Sequence, residues 1–280
     1  MESEPVASIS SVAHGGYGVC RIAGQVCFVA HGLPGDVVRV RVMKETKGVL
    51  WGSIDEICEA SPDRKEAECP YFARCGGCSW QHFAYPAQGQ WKRRIVSDCL
   101  QRIAKIECDI SFGENPDLRF GYRTRAEFHG DEARLGFYAA ESRNVVDIQK
   151  CLLCHEHINA ALDRLRELPT IESAEFVVNP EGPEVLVSSK RPHRRLRETF
   201  ACTNASEDPK PHQFMFDGVP IVNGAFSQSS LLLNRMLRDV VSRMALAASS
   251  VLDLYCGNGN LSLGPPHEVR VLGPDCNKHA

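Results

Sequence analysis

The chain has 280 residues, 43% of them hydrophobic and 24% charged, which fits a soluble globular protein of roughly two domains, or three small ones. No apolar run is long enough to span a bilayer, and the acidic start Met1-Glu2-Ser3-Glu4-Pro5 is no secretory signal, so no membrane partner and a cytoplasmic location are expected. The net charge of −3 excludes a global electrostatic attraction to nucleic acid, so any RNA contact must use local basic patches.

Residues 5–58 alternate short β-rich runs with glycine turns. The runs are Val6–Val12, Gly18–Ile22, Val26–Val29, Asp36–Val42 and Leu50–Ile57, with turns at Gly15-Gly16, Ala23-Gly24 and Leu33-Pro34-Gly35-Asp36. That spacing predicts a small closed β-barrel of the oligonucleotide-binding kind, or a barrel with no ligand. A polar linker, Ser61–Glu66, leads to a cysteine-rich loop, and a helix is expected over 88–107. Trp91, Ile95, Val96, Cys99, Leu100 and Ile103 form one stripe on it and are expected to pack in a core.

Strands are expected again within 118–150, a helix over 155–167, and a hairpin of Ala174–Val178 with Glu184–Ser188 across Asn179-Pro180-Glu181-Gly182. The run Lys190-Arg191-Pro192-His193-Arg194-Arg195-Leu196-Arg197 is the one strongly basic patch, read either as an RNA contact or as a solvated loop. Residues 229–247 predict a long amphipathic helix running into a buried strand, Val251–Leu254.

Thirteen cysteines, an odd number without an export signal, point to thiolate metal ligation rather than disulfides. Cys69, Cys75 and Cys78 lie within ten residues, broken by Gly76-Gly77, whose backbone N–H groups can donate to sulfur. A fourth ligand must come from elsewhere, with Cys151 and Cys154 as candidates. Zinc on Cys75, Cys78, Cys151 and Cys154 competes with a 4Fe–4S cluster that also uses Cys69.

The stretch Val251-Leu252-Asp253-Leu254-Tyr255-Cys256-Gly257-Asn258-Gly259-Asn260 is a strand, an acid and a Gly-x-Gly turn, followed by a second strand, Val269–Leu272, ending near Asp275. This order opens a class I methyltransferase nucleotide fold, where the glycines admit the cofactor and an acid at the next strand can take ribose hydroxyls. The third position of the dinucleotide fingerprint is Leu261, so that fingerprint is not met. Cys256 sits inside this loop, which argues against a nucleophilic role.

Taken together, Cys69-Pro70-Tyr71-Phe72-Ala73-Arg74-Cys75-Gly76-Gly77-Cys78, Gly121–Arg125, Val146–Cys151, Phe226-Ser227-Gln228 and Asp253–Asn260 follow one another in an order that resembles the RNA 5-methyluridine methyltransferases. The resemblance is to the 23S ribosomal RNA branch with a TRAM barrel and an iron–sulfur cluster. It implies an α+β and α/β multidomain fold: a TRAM-like barrel over 1–58, a central cluster-bearing domain over 59–205, and over 206–280 the front of an S-adenosylmethionine-dependent methyltransferase domain. The helix at 88–107 would pack on that last domain.

The resemblance also implies a 4Fe–4S cluster on Cys69, Cys75, Cys78 and Cys151, with Cys154 a bystander. It implies cofactor contacts from Gln228, Asp253, Tyr255, Gly257, Gly259, Asn260 and Asp275. Arg123 and Arg125 become RNA contacts, or else strand-edge ion pairs. The implied partner is 23S rRNA and the implied state a monomer when complete.

The family's catalytic cysteine and glutamate belong to later strands, so the expectation is a chain without its own nucleophile, inactive alone and poorly soluble through exposed apolar sheet faces. A non-catalytic RNA-binding module is the alternative. Gly264-Pro265-Pro266 interrupts an expected helix, and Pro274 stands just before Asp275.

Overall fold

The computed structural model describes residues 4–131, 133–169, 171–203, 212–262 and 269–276. The chain forms two compact units, Met1–Glu114 and Asn115–Ala280.

The first unit is built on six strands: β1 (Val6–Ser8), β2 (Ser11–Val12), β3 (Gly18–Ile22), β4 (Gln25–Ala30), β5 (Val37–Thr46) and β6 (Val49–Glu59). Their order is β1-β5-β6-β4-β3-β2. The single run expected over 6–12 is two strands. One half pairs with β5 and the other with β3, so one stretch of chain serves both ends of the order. Between the halves the Ile9 N–H donates to the Asp36 carbonyl at 2.8 Å and the Ser10 N–H to the Val19 carbonyl at 2.9 Å.

The hairpin β3–β4 turns on Ala23-Gly24, both at positive φ (48° and 82°), the geometry that follows the twist of two antiparallel strands. Inward residues alternate along each strand and gather as Ala7, Ile9, Cys20, Cys27, Val29, Val38, Val40 and Leu50.

After the cysteine loop, α1 runs from Tyr85 to Cys99, with Pro86 in its first turn, and passes into a π-helical turn over Leu100–Ala104. Its buried residues are Ala87 and Gly89. Of the expected core stripe, Trp91 packs against the Leu33, Phe83 and Ala87 cluster and Ile95 and Leu100 are half-buried, but the rest is corrected: Val96 is 46% exposed, Ile103 80% exposed, and Cys99 is exposed as well. The helical period is there, but the face that Ala87 and Gly89 occupy carries the packing.

The second unit centres on a sheet of order β12-β11-β10-β7-β8-β9. Its strands are β7 (Arg125–Gly130), β8 (Leu135–Tyr138), β9 (Val145–Asp147), β10 (Ser173–Val178), β11 (Val185–Ser188) and β12 (Ala201–Thr203). Helix α2 (Glu156–Arg166) starts where the His155 ring accepts the His157 N–H, and it buries Ile158, Ala161, Leu162 and Leu165 at one-face spacing.

Phe176 of β10 contacts Phe128 and Phe200 at 5.8 and 5.4 Å between ring centres. Its neighbour Val177 points the other way, where Val177 and Leu186 meet a hairpin of β13 (Gln213–Phe216) and β14 (Val219–Val222). That hairpin has a sequence signal, Asp217-Gly218 between alternating apolar residues, with both turn residues at positive φ.

A short helix, α3 (Arg194–Thr199), precedes β12, and α4 (Leu231–Ala245) follows the hairpin. The Ser230 hydroxyl caps α4 by accepting the Leu233 N–H at 3.1 Å. Last come β15 (Ser250–Leu252) and β16 (Arg270–Leu272), paired in parallel as a two-stranded sheet. Parallel strands are ordinarily covered on both faces. Here Leu252 is 59% exposed, and Leu254 and Leu272 are exposed too, as expected for a sheet with uncovered apolar faces. Gly264-Pro265-Pro266 lies outside the described residues.

Candidate functional site

The loop that follows β15 makes a compact turn. Tyr255, Gly257 and Gly259 all have positive φ, at 59°, 56° and 79°. A Cβ built on Gly257 would meet nothing within 4 Å, so the backbone there borders open space. The Gly257 N–H donates to Asp275 Oδ2 at 2.7 Å, tying the turn to the end of β16. The Tyr255 and Cys256 N–H groups reach the Pro274 carbonyl at 3.0 and 3.4 Å, so Pro274 anchors the loop instead of disturbing it. Asp253 accepts a hydrogen bond from the Ser262 hydroxyl.

Asn260 and Asn234 of α4 exchange amide hydrogen bonds at 2.6 and 3.0 Å, holding the far end of the loop on the first turns of that helix. Asn234 is buried and was not anticipated. Its position four residues after the cap Ser230 is the only signal the sequence carries for it. The turn and Asp275 thus come together. Gln228 stands two residues before that cap and is half-buried.

Burial and the carboxylates of Asp253 and Asp275 push the Cys256 thiol above its usual range. Its sulfur lies 3.0 Å from the Gly273 carbonyl as a donor, so it is a thiol turned to the backbone and not a poised thiolate.

In the first unit, Cys69, Cys75 and Cys78 line one loop, all partly exposed. Polar hydrogens point at the sulfurs: the Gly77 N–H lies 3.4 Å from Cys75 Sγ and Gln81 Nε2 lies 3.4 Å from Cys78 Sγ. The other end of the Gln81 amide accepts the Cys69 N–H at 3.1 Å. Gln81 therefore bridges two of the three cysteines, a role invisible in spacing alone. Among the described residues, no group of three or more His, Cys, Asp or Glu side chains converges tightly enough to hold a single metal ion.

Cys151 and Cys154 belong to the second unit. The Cys151 thiol is pushed down to about 6, chiefly by a hydrogen bond from Cys154, with backbone N–H groups and the Arg123 charge adding to it against burial. Asn159 of α2 clamps this turn: its Oδ1 accepts the Cys151 N–H at 2.9 Å, and its Nδ2 donates to the Cys151 and Cys154 carbonyls at 3.1 Å each.

Arg125 is committed inside the fold. It makes a two-pronged pair with Glu175 at 2.7 and 2.8 Å, donates to the Ala225 carbonyl at 2.6 Å, and lies over the Phe226 ring. For Arg125 the ion-pair reading describes this geometry. Arg123 lies in a bridge with Cys154, and its Nε is buried without a hydrogen-bond acceptor.

An RNA methyltransferase of Aquifex aeolicus, itself uncharacterised, is 37% identical over 60% of this chain and 40% of its own length. The 23S rRNA (uracil(1939)-C(5))-methyltransferase RlmD of an Azoarcus species is 28% identical over 92% of this chain and 69% of its own length. The chain is a relative of the RNA methyltransferases.

The fold agrees with that relationship. A crystal structure of the Pyrococcus abyssi tRNA (uracil-54, C5)-methyltransferase with S-adenosyl-L-homocysteine superposes with a TM-score of 0.69, over 97% of this chain and 74% of that one, at 20% identity. No family model matches. The chain spans 40% and 36% of the first two relatives' lengths. Among the described residues, no helix is long and apolar enough to cross a membrane.

Proposed function

We propose that this chain carries the cofactor loop and RNA-gripping parts of a cytoplasmic S-adenosylmethionine-dependent methyltransferase that acts on uracil C5 in RNA, with 23S rRNA as the substrate. The observation that carries the reading is the turn Tyr255–Asn260 between two parallel strands. Its glycine backbone borders open space, and its N–H is fixed by the acid at the end of the second strand. Asp253, Tyr255, Gly257, Gly259, Asn260, Asp275 and Gln228 would surround the cofactor. When bound, that cofactor supplies an electrophilic methyl group. The chain's own residues shape the turn (Gly257, Gly259), lock it to α4 (Asn234 with Asn260) and keep Cys256 protonated and turned away.

The first sheet is read as a TRAM-type barrel, because one stretch, 6–12, pairs at both ends of its strand order. The cysteine loop is read as the main part of a 4Fe–4S site with Cys69, Cys75, Cys78 and Cys151 as ligands. The donor set supports that choice: hydrogen bonds to two sulfurs and a Cys151 thiol pushed towards the thiolate both suit a cluster.

Calorimetric titration of the 280-residue chain with S-adenosylhomocysteine tests the reading. Binding is expected, and Gly257→Val, which fills the cradle and strains a positive-φ position, should weaken it at least tenfold. Wild-type protein that takes up no cofactor, or a Gly257→Val variant that binds as well, would refute it.

A further inference from the structure

Asn258 stands between the two glycines of the turn that follows β15, with Gly257 and Gly259 at positive φ on either side. It is half-buried, and its Nδ2 donates to the Pro220 carbonyl of β14 at 2.7 Å. The position of Pro220 explains why that carbonyl is on offer. Strand β14 pairs with β13 and, among the described residues, with no other strand. Phe216 and Val219 face each other across the two-residue turn Asp217-Gly218, and Met215 faces Pro220. Hydrogen-bonded and open pairs alternate along an antiparallel ladder, so Pro220 directs its carbonyl away from β13. Proline has no N–H to satisfy on such an edge, and it stops a further strand from pairing there. A side-chain amide N–H is the group that fits what is left.

A second hook lies two residues on, where Asn260 exchanges amide hydrogen bonds with the buried Asn234 of α4. The supports of the two hooks are themselves joined. Arg235, next to Asn234, forks onto Asp217 in the β13–β14 turn at 2.7 and 2.9 Å. It also forks onto Glu181 in the β10–β11 turn at 2.8 and 2.9 Å, and it lies over the Phe216 ring. Arg238 adds a bond to the Asp217 carbonyl at 3.0 Å. Helix α4 and the hairpin therefore form one braced seat. The glycine turn is fastened to that seat at 258 and at 260, whereas the strands that carry it are three residues long.

We infer that Asn258 is a positioning residue: through the Pro220 carbonyl it holds the glycine turn where the cofactor is received, without touching the cofactor. This rests on the cofactor reading above and adds what keeps the turn in place before binding. A turn that is in place only part of the time binds with an affinity lowered by that fraction. Loss of the hook therefore slows capture. Release depends on contacts within the complex and stays as it was.

The test is surface plasmon resonance of S-adenosylhomocysteine on the immobilised 280-residue chain. Asn258→Ala should bind about three- to tenfold more weakly, the contribution of one hydrogen bond. The loss should lie in the association rate, with the dissociation rate within about twofold of wild type. Asn258→Asp keeps the shape but sets a carboxylate against the carbonyl near neutral pH, so it should bind at least as weakly. As the pH is lowered towards about 5, its protonated fraction regains a donor. Its deficit relative to wild type at the same pH should then shrink, while that of Asn258→Ala stays constant. A variant that had merely misfolded would not recover with protonation.

An Asn258→Ala variant with wild-type affinity overturns the inference and leaves the cofactor reading standing. A loss carried by faster dissociation overturns it as well, because the side chain would then be a contact in the complex. So does an Asn258→Asp deficit that lowering the pH does not reduce. Wild-type chain that binds no S-adenosylhomocysteine refutes the cofactor reading itself.

Discussion

The loop Cys69–Cys78 and the loop Tyr255–Asn260 are both short, glycine-bearing and built around hydrogen bonds to the backbone, yet their supports differ. The cysteine loop is followed by Trp80, Gln81, His82 and Phe83, and that segment is embedded in its own unit. Phe83 is fully buried beside Leu33 and Ala87, and the His82 ring lies 5.0 Å from Phe72 within the loop and 3.0 Å from the His31 carbonyl. Beneath them, the fully buried Asp36 accepts the N–H groups of Leu33 and Ser61 at 2.7 and 2.8 Å, and both ends of the Arg64 guanidinium.

The loop Tyr255–Asn260 stands on two three-residue strands whose Leu252 and Leu272 face solvent. One loop has its scaffold complete around it. The other has backbone geometry fixed by Asp275 and Asn234, but strand faces that in parallel sheets are normally covered. Local hydrogen bonding can set the shape of a loop with little core beneath it, whereas rigidity under load needs the core.

The contrast predicts that the largest stability effect in the first unit comes from Asp36. Asp36→Ala leaves Arg64 without its carboxylate and two buried N–H groups unsatisfied, at a cost of about 3–5 kcal/mol. The measurement is clean because all three tryptophans, Trp51, Trp80 and Trp91, lie in the first unit, so fluorescence-detected urea unfolding follows it alone. The corresponding change at the other loop, Asp253→Ala, should shift no fluorescence transition. A destabilisation below about 1 kcal/mol for Asp36→Ala would mean that the clamp does not hold this scaffold.

Acid should expose the same difference on a smaller scale. Burial, then the charges of Arg64 and His31, depress His82 from 6.5 to about 4. Between those values the unfolded chain binds the proton and the folded chain does not, so stability is full above pH 6.5 and falls as pH drops towards 4. Burial alone would raise Asp36, but Arg64 and the Ser61 and Leu33 amides outweigh it and hold the carboxyl below its usual range. Its contribution therefore survives through this window and is lost only at lower pH. His82→Phe should flatten the fluorescence-detected stability profile between pH 6.5 and 4. A profile as steep as wild type would show that another group carries it.

Much of the fold is legible in the sequence, for reasons that sort by range. Alternation and turn residues identify β3 to β6, α2, α4 and the parallel pair, because each rests on a local period. The Gly257–Gly259 turn is legible because only glycine tolerates that backbone cheaply. What escapes depends on contacts distant in sequence. The split of 6–12 into two strands arises because its halves pair with different partners. The stripe of α1 has the right period, but only its Trp91 end meets a core, the Leu33, Phe83 and Ala87 cluster, and Val96 and Ile103 beyond it stay exposed. Asn234, Asn159 and Gln81 look like ordinary surface amides until the fold brings each against a loop it clamps.

Gln81 offers the finest way to sharpen the contrast, because it touches the cysteine loop without belonging to its core. Its Oε1 holds the Cys69 N–H, and its Nε2 donates to Cys78 Sγ. Gln81→Glu keeps the acceptor and the shape but removes the donor, so the loop should fold as before with one hydrogen bond to sulfur gone. Hydrogen bonds to cluster sulfurs stabilise the more negative, reduced state. In chain reconstituted with iron and sulfide, Gln81→Glu should therefore retain wild-type iron and acid-labile sulfide while its midpoint potential falls. The size expected for one hydrogen bond of about 1 kcal/mol is on the order of 40 mV. An unchanged potential with full occupancy would show that Gln81 only braces the backbone at Cys69. Wild-type chain that takes up no iron would instead remove the cluster reading, and Gln81 would remain a clamp on a loop of free thiols.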